Sequence, residues 1–101
     1  MNVRIVSRNS DLPASVVKRA KQLVGKLAKY DSRLTEAEVI FEEQKRTKKV
    51  EAILHLDRVD HIFAKAKDDE YLPALDQLVN RLQRQLRDGR ARATNHQATK
   101  S

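Results

Sequence analysis

The chain has 101 residues, enough for one domain with a modest core. Lysine and arginine number 21 against 14 aspartate and glutamate, a formal net charge of +7; a compact domain this basic usually meets an anionic partner, most often nucleic acid. Cysteine is absent, which excludes a disulfide scaffold, thiol catalysis and zinc–thiolate sites. Glycine occurs only at Gly25 and Gly89, so the glycine-rich phosphate loops and the GxxG loop of KH domains have no counterpart. The opening "MNVRIVSRNS" is too short and polar for a signal peptide, and no apolar run approaches membrane-spanning length. The composition reads as a soluble intracellular protein.

In chain order, "NVRIVS" alternates Val3 and Ile5 against Arg4, as a short strand does. In "NSDLP", Ser10 or Asp11 can cap a helix that tolerates Pro13 in its first turn. "ASVVKRAKQLVGKLAKY" puts Val16, Ala20, Leu23, Val24 and Leu27 on one helical face and Lys18, Lys21, Lys26 and Lys29 on the other. Gly25 falls on the outer half, either as a tolerated exposed glycine or as a point where a partner's backbone comes close.

"DSRLT" breaks the helix. "EAEVIFEEQ" (36–44) reads as a strand with Ala37, Val39 and Phe41 on one face. "KRTKK" (45–49) is a charged connection, and "VEAILHL" (50–56) is a strand with Val50, Ala52, Leu54 and Leu56 inward. After the turn "DRVD", "HIFAKAK" (61–67) is the fourth strand. The last helix opens at "DDEY", with Asp68 or Asp69 as N-cap and Pro73 near its start, and carries Leu72, Leu75, Leu78, Val79, Leu82 and Leu86 as its apolar stripe. Beyond Gly89, "RARATNHQATKS" lacks apolar periodicity and reads as a basic, disordered tail.

The order β-α-β-β-β-α predicts a two-layer α+β domain, a four-stranded sheet with two helices packed on one face. The last three strands form an antiparallel meander, and the first, reached through a helix, pairs in parallel with a neighbour. Ile40, Ile53 and Phe63 fall on the open face. The domain is expected over residues 1–88 and the tail over 89–101.

Chemistry for catalysis or metal binding is thin. His55 and His61 flank one turn with Asp57 and Asp60, without fixed ligand spacing, so neither a metal nor any other cofactor is expected. Glu42–Glu43 and Asp68–Asp69–Glu70 are adjacent carboxylates rather than a cleft pair, and the second group suits a helix N-terminus. No enzyme and no small-molecule substrate are expected. The cations are more telling. Lys18, Lys21, Lys26 and Lys29 on one helix, and Arg81, Arg84 and Arg87 followed by Arg90 and Arg92 on the other, form two expected rows with a groove between them that suits a phosphate backbone. The aromatics are too few for a base-stacking platform, and Tyr30 and Tyr71 read as half-buried packing residues.

"DDEYLPALDQLVNRLQRQLR" resembles the last strand-to-helix segment of the ribosome hibernation-promoting factor family, also called ribosome-associated translation inhibitors. The resemblance rests on Asp69 and Tyr71, on Ala74-Leu75-Asp76, and on Arg81-Leu82-Gln83-Arg84-Gln85-Leu86. "GKLAKYDSRLTEAEVIF", with Lys26, Leu27 and Tyr30, and "MNVRIVSRN" resemble earlier family segments in the right order.

The resemblance implies a fold similar to double-stranded RNA-binding domains. It implies binding to small-subunit rRNA in the tRNA and mRNA channel, a cytoplasmic location, and storage of inactive ribosomes under stress or in stationary phase. Arg81, Arg84 and Lys26 match the family pattern; Lys18, Lys21, Lys29 and Arg87 are placed by helix face. The free protein is expected to be a monomer. Pro73 and the glycine-free "DRVD" turn depart from the pattern. The lack of a long form's dimerisation domain and of an acidic tail favours the short hibernation-promoting subtype. Two alternatives remain beside this reading: a general structured-RNA-binding module, against which the acidic start of the last helix counts, and a regulator that binds a protein through Ile53 and Phe63 on the open sheet face.

Overall fold

The computed structural model describes residues 1–8 and 11–99, with side chains described through residue 89. Ser10, one of the two expected caps, and the side chains of Arg90 and Arg92 lie outside the described residues. The elements are β1 (Asn2–Arg8), α1 (Ala14–Gly25), a 3₁₀ turn (Lys26–Lys29), β2 (Leu34–Gln44), β3 (Thr47–Leu56), β4 (Ile62–Asp68) and α2 (Tyr71–Thr99). The expected order and the two-layer α+β arrangement are both present.

The sheet runs β1-β2-β3-β4. β1 pairs with β2 in parallel, Ile5 opposite Val39, and the other pairings are antiparallel, Phe41 opposite Val50 and Ala52 opposite Ala64. Alternation then decides the faces. Ala37, Val39 and Phe41 of β2, Val50, Ala52 and Leu54 of β3, and Ala64 and Ala66 of β4 are buried beneath the helices. Val16, Ala20 and Val24 of α1, Leu27 of the 3₁₀ turn, and Leu75, Leu78, Leu82 and Leu86 of α2 close the core from above. Phe41 meets the edge of Tyr71 at a centroid distance of 5.3 Å.

Several local expectations are corrected. The β2–β3 connection is only Lys45–Arg46, because Gln44 pairs with Thr47 and the strands extend through Thr47–Lys49. A two-residue hairpin of the primed type needs positive φ at its first central residue, and Lys45 supplies it at φ 55°. α1 starts with Pro13 at its N-cap position and has no side-chain cap. The amides of Val16 and Val17 donate instead to the Pro13 carbonyl at 3.0 and 3.3 Å. Asp68 does stand at the entrance to α2: its Oδ1 accepts from the amides of Asp69 (2.7 Å) and Glu70 (3.4 Å). Pro73 is the third helical residue, where an N–H has no intrahelical acceptor to lose.

Two apolar assignments also change. Leu72 is exposed, and Tyr71, expected half-buried, is buried; Tyr30 is about half exposed, as expected. α2 does not stop at Gly89; its backbone is helical through Thr99. One glycine costs a helix only about 1 kcal/mol against alanine, whereas Ala91 and Ala93 beyond it favour helix. Residues 100–101 of the expected tail lie outside the described residues.

Candidate nucleic-acid interface

α2 is positioned by its apolar stripe. Ala64 and Ala66 beneath it are small, so the helix sits close over β4, the edge strand of the sheet. From there Arg81 donates through Nη1 to the carbonyl of Lys65, and Gln85 Nε2 donates to the carbonyl of Phe63 at 3.0 Å. On the other flank Gln83 Nε2 donates to the Tyr30 hydroxyl at 3.4 Å, tying α2 to the end of the 3₁₀ turn. Arg81 and Gln83 are two residues apart, about 200° around a helix. Arg81 therefore leans over the β4 edge, and Gln83 leans toward the turn that follows α1.

All the expected binding residues are exposed: Lys18 and Lys21 on α1, Lys26 and Lys29 on the 3₁₀ turn, and Arg81, Arg84 and Arg87 on α2. They are not brought together in one inter-helix groove. Lys18 and Lys21 line a shallow groove on α1 with Val17 and Gln22. Arg81 and Arg84 line a separate cleft with Phe63, Lys65 and Gln85. The reason is the 100° step along α2, which puts Arg81 and Arg84 about 60° apart on the β4 side, away from the α1 lysines.

Sequence reasoning missed four further cations. Lys45, Lys49, Lys65 and Lys67 join Arg81 around a cleft of about 860 Å³ between the β2–β3 hairpin, the β4 edge and α2. Part of the signal was present in "AKAK", where Lys65 and Lys67 alternate with buried Ala64 and Ala66 and so share a face. The placement of Lys49 opposite Lys67 depends on strand register, which the sequence does not display.

The histidines do come together. His55 Nδ1 and His61 Nε2 lie 3.0 Å apart on the open side of the sheet. Among the described residues, no group of three or more His, Asp or Glu side chains converges to hold a metal ion. The open face also carries Phe63, half exposed, beside Ile53 across the β3–β4 pairing, with Arg4 against Glu38 at 3.7 Å on the β1 side. No described helix is long and apolar enough to cross a membrane.

A mixed four-stranded sheet with two helices on one face and cations massed along the second helix defines a class of small basic α+β domains. This chain belongs to the family described as sigma 54 modulation protein / S30EA ribosomal protein, whose model matches residues 3–94. It is 28% identical over 86 residues to a ribosome hibernation promoting factor of Azotobacter vinelandii, covering 85% of this chain and 79% of that protein. Among solved structures, it is similar to a ribosomal subunit interface protein from Coxiella burnetii, with a TM-score of 0.83 and 21% identity over 90% of this chain and 99% of that one. It is also similar to the N-terminal domain of Thermus thermophilus Protein Y, with a TM-score of 0.77 and 20% identity over 85% of this chain and 96% of that one.

Proposed function

We propose that this chain is a non-enzymatic bacterial ribosome hibernation factor. It binds small-subunit rRNA in the tRNA and mRNA channel through Lys18, Lys21, Lys26, Lys29, Arg81, Arg84 and Arg87. It excludes the translation substrates and holds ribosomes inactive in the cytoplasm during stress or stationary phase. The folded unit over residues 1–88 does the binding as a monomer, and the segment from residue 89 extends α2. Membership of the S30EA family supports a ribosomal partner. The observation that carries the binding mode is the set of exposed cations on both helices, on a domain whose formal net charge is +7. Such a surface suits phosphates far better than a neutral protein partner.

Sedimentation of the purified protein with ribosomes through sucrose gradients tests this. Two charge reversals are suited to it: Lys18→Glu with Lys21→Glu, and Arg84→Glu with Arg87→Glu. These residues are exposed and make no described hydrogen bond or ion pair to the sheet. Arg81 is less suitable, because its reversal also removes the bond to the Lys65 carbonyl. Wild type should comigrate with the small subunit or whole ribosome, competing tRNA should displace it, and either reversal should remove it from the ribosomal fractions. Comigration that survives both reversals would move the partner to the open sheet face. No comigration at any salt concentration would end the ribosomal reading.

A further inference from the structure

β4 is an edge strand, and edge strands leave a row of backbone N–H and C=O groups unpaired. Here that row is treated unequally. The outward carbonyls of Phe63 and Lys65 are occupied by Gln85 and Arg81. In a strand, the N–H and C=O of one residue point to the same side, so the amides of Phe63 and Lys65, and of Lys67 two residues on, face the same free edge. At Phe63 and Lys65 the outward acceptors are thus occupied, while no described bond engages the outward amides.

The side chains around it add positive charge. Lys45, Lys49, Lys65, Lys67 and Arg81 line the adjoining cleft of about 860 Å³, and no aspartate or glutamate lines it. Glu51, opposite Lys65 in the sheet, pairs at 3.0 Å with Lys49, itself a cleft residue, so Lys45, Lys65, Lys67 and Arg81 are the cleft cations that no described carboxylate pairs. Asp68 serves the entrance to α2 through Oδ1 and accepts from Gln77 Nε2 at 3.0 Å through Oδ2. Like charges that line one cleft repel one another, and an anion bound among them relieves that repulsion. Outward amides and converging cations together form an anion cradle.

We propose that the β4-edge cleft is a phosphate-binding site, separate from the lysine groove of α1, and that it takes consecutive backbone phosphates of the RNA this protein binds. Its RNA source rests on the ribosomal reading above; its anion chemistry does not. The helix cations and the edge cleft then lie on two flanks of α2, and Arg81 belongs to both.

Two measurements test it. Inorganic tripolyphosphate is titrated into the ¹⁵N-labelled full chain, wild type and the exposed pair Lys65→Gln with Lys67→Gln. Amides of Lys45, Lys65 and Lys67 should shift at lower tripolyphosphate than those of Lys18 and Lys21. The double variant should weaken that binding about tenfold or more, as loss of a charge-assisted hydrogen bond would. Ribosome affinity is then followed against salt. The slope of log K on log[salt] should fall by about 1.4–1.8 in the double variant, at roughly 0.7–0.9 per phosphate contact. Equal shifts at Lys18 and Lys21, or none in the cleft, would overturn the site. Cleft shifts with an unchanged ribosomal slope would overturn RNA as its occupant and leave a free polyphosphate in its place. If wild type does not bind ribosomes at all, the ribosomal reading falls with the RNA assignment, and the tripolyphosphate arm still decides the anion site.

Discussion

Arg33 closes on Asp31 through two parallel bonds, Nε to Oδ1 at 3.0 Å and Nη2 to Oδ2 at 2.8 Å, and its own amide donates to Oδ1 at 3.0 Å. Asp31 is the one buried charged side chain among the described residues, and it folds the loop between the 3₁₀ turn and β2. Asp31→Ala leaves the Arg33 amide and guanidinium without that acceptor. It should cost about 1–3 kcal/mol, and each kcal/mol lowers the Tm of a domain this size by roughly 4–8 °C. An unchanged Tm would show that the loop holds without the pair. The hydrogen bond to Asp31 also raises the Arg33 guanidinium above its already high ordinary value, outweighing the opposing effect of burial. A base raised on folding stabilises at every pH below its unfolded value and loses that contribution only as pH climbs through the folded one. Arg33 therefore adds no pH dependence outside strongly alkaline solution.

Arg58, in the turn between β3 and β4, lies at φ 67°. A left-handed backbone costs a side-chain-bearing residue roughly 1–2 kcal/mol, against roughly 0.4–1 kcal/mol of unfolded-chain entropy that glycine adds. The first term is the larger, so Arg58→Gly should stabilise by about 0.5–1 kcal/mol in urea unfolding. A loss of stability would mean that the arginine side chain contributes more than its backbone costs.

At the scale of elements, the end of α1 poses a sharper question. Gly25 has helical φ, −59°, and an added Cβ would meet nothing within 4 Å. Gly25→Ala should therefore raise stability by about 0.5–1 kcal/mol through helix propensity alone. The same variant distinguishes the two readings of this glycine. Unchanged ribosome binding makes it a tolerated gap. Weaker binding from a more stable protein would place a partner's backbone against this turn of the helix. The limits of α1 and α2 were less legible than their existence. α1 begins on a proline carbonyl rather than on a polar side chain, and α2 continues through Gly89 because a single glycine is too weak a stop signal.

At the scale of the whole molecule, the lysine groove of α1 and the arginine cleft of α2 are separate patches. Binding by both should be strongly salt-dependent. Reversing Lys18 and Lys21, or Arg84 and Arg87, should each lower the salt slope of ribosome binding by about 1.4–1.8, and the two effects should add if the patches hold different phosphates. Measured affinities across a salt series decide this. A reversal that weakens binding without changing the slope would act through something other than phosphate.

Period-two alternation in "EAEVIFEEQ" and "VEAILHL" and the leucine spacing of α2 needed only the chain itself, because each is a local rule about which side chains share a face. They determined the elements, their order, the inner face of the sheet and the exposure of the helix cations. Pairing across strands and the tilt of α2 over the edge are not local. They depend on Ala64 and Ala66 being small enough to admit the helix, and on register bringing Lys49 beside Lys67. Only the tertiary structure therefore decided that Arg81 reaches the β4 edge rather than the α1 lysines, and that the hairpin and strand lysines gather with it around one cleft.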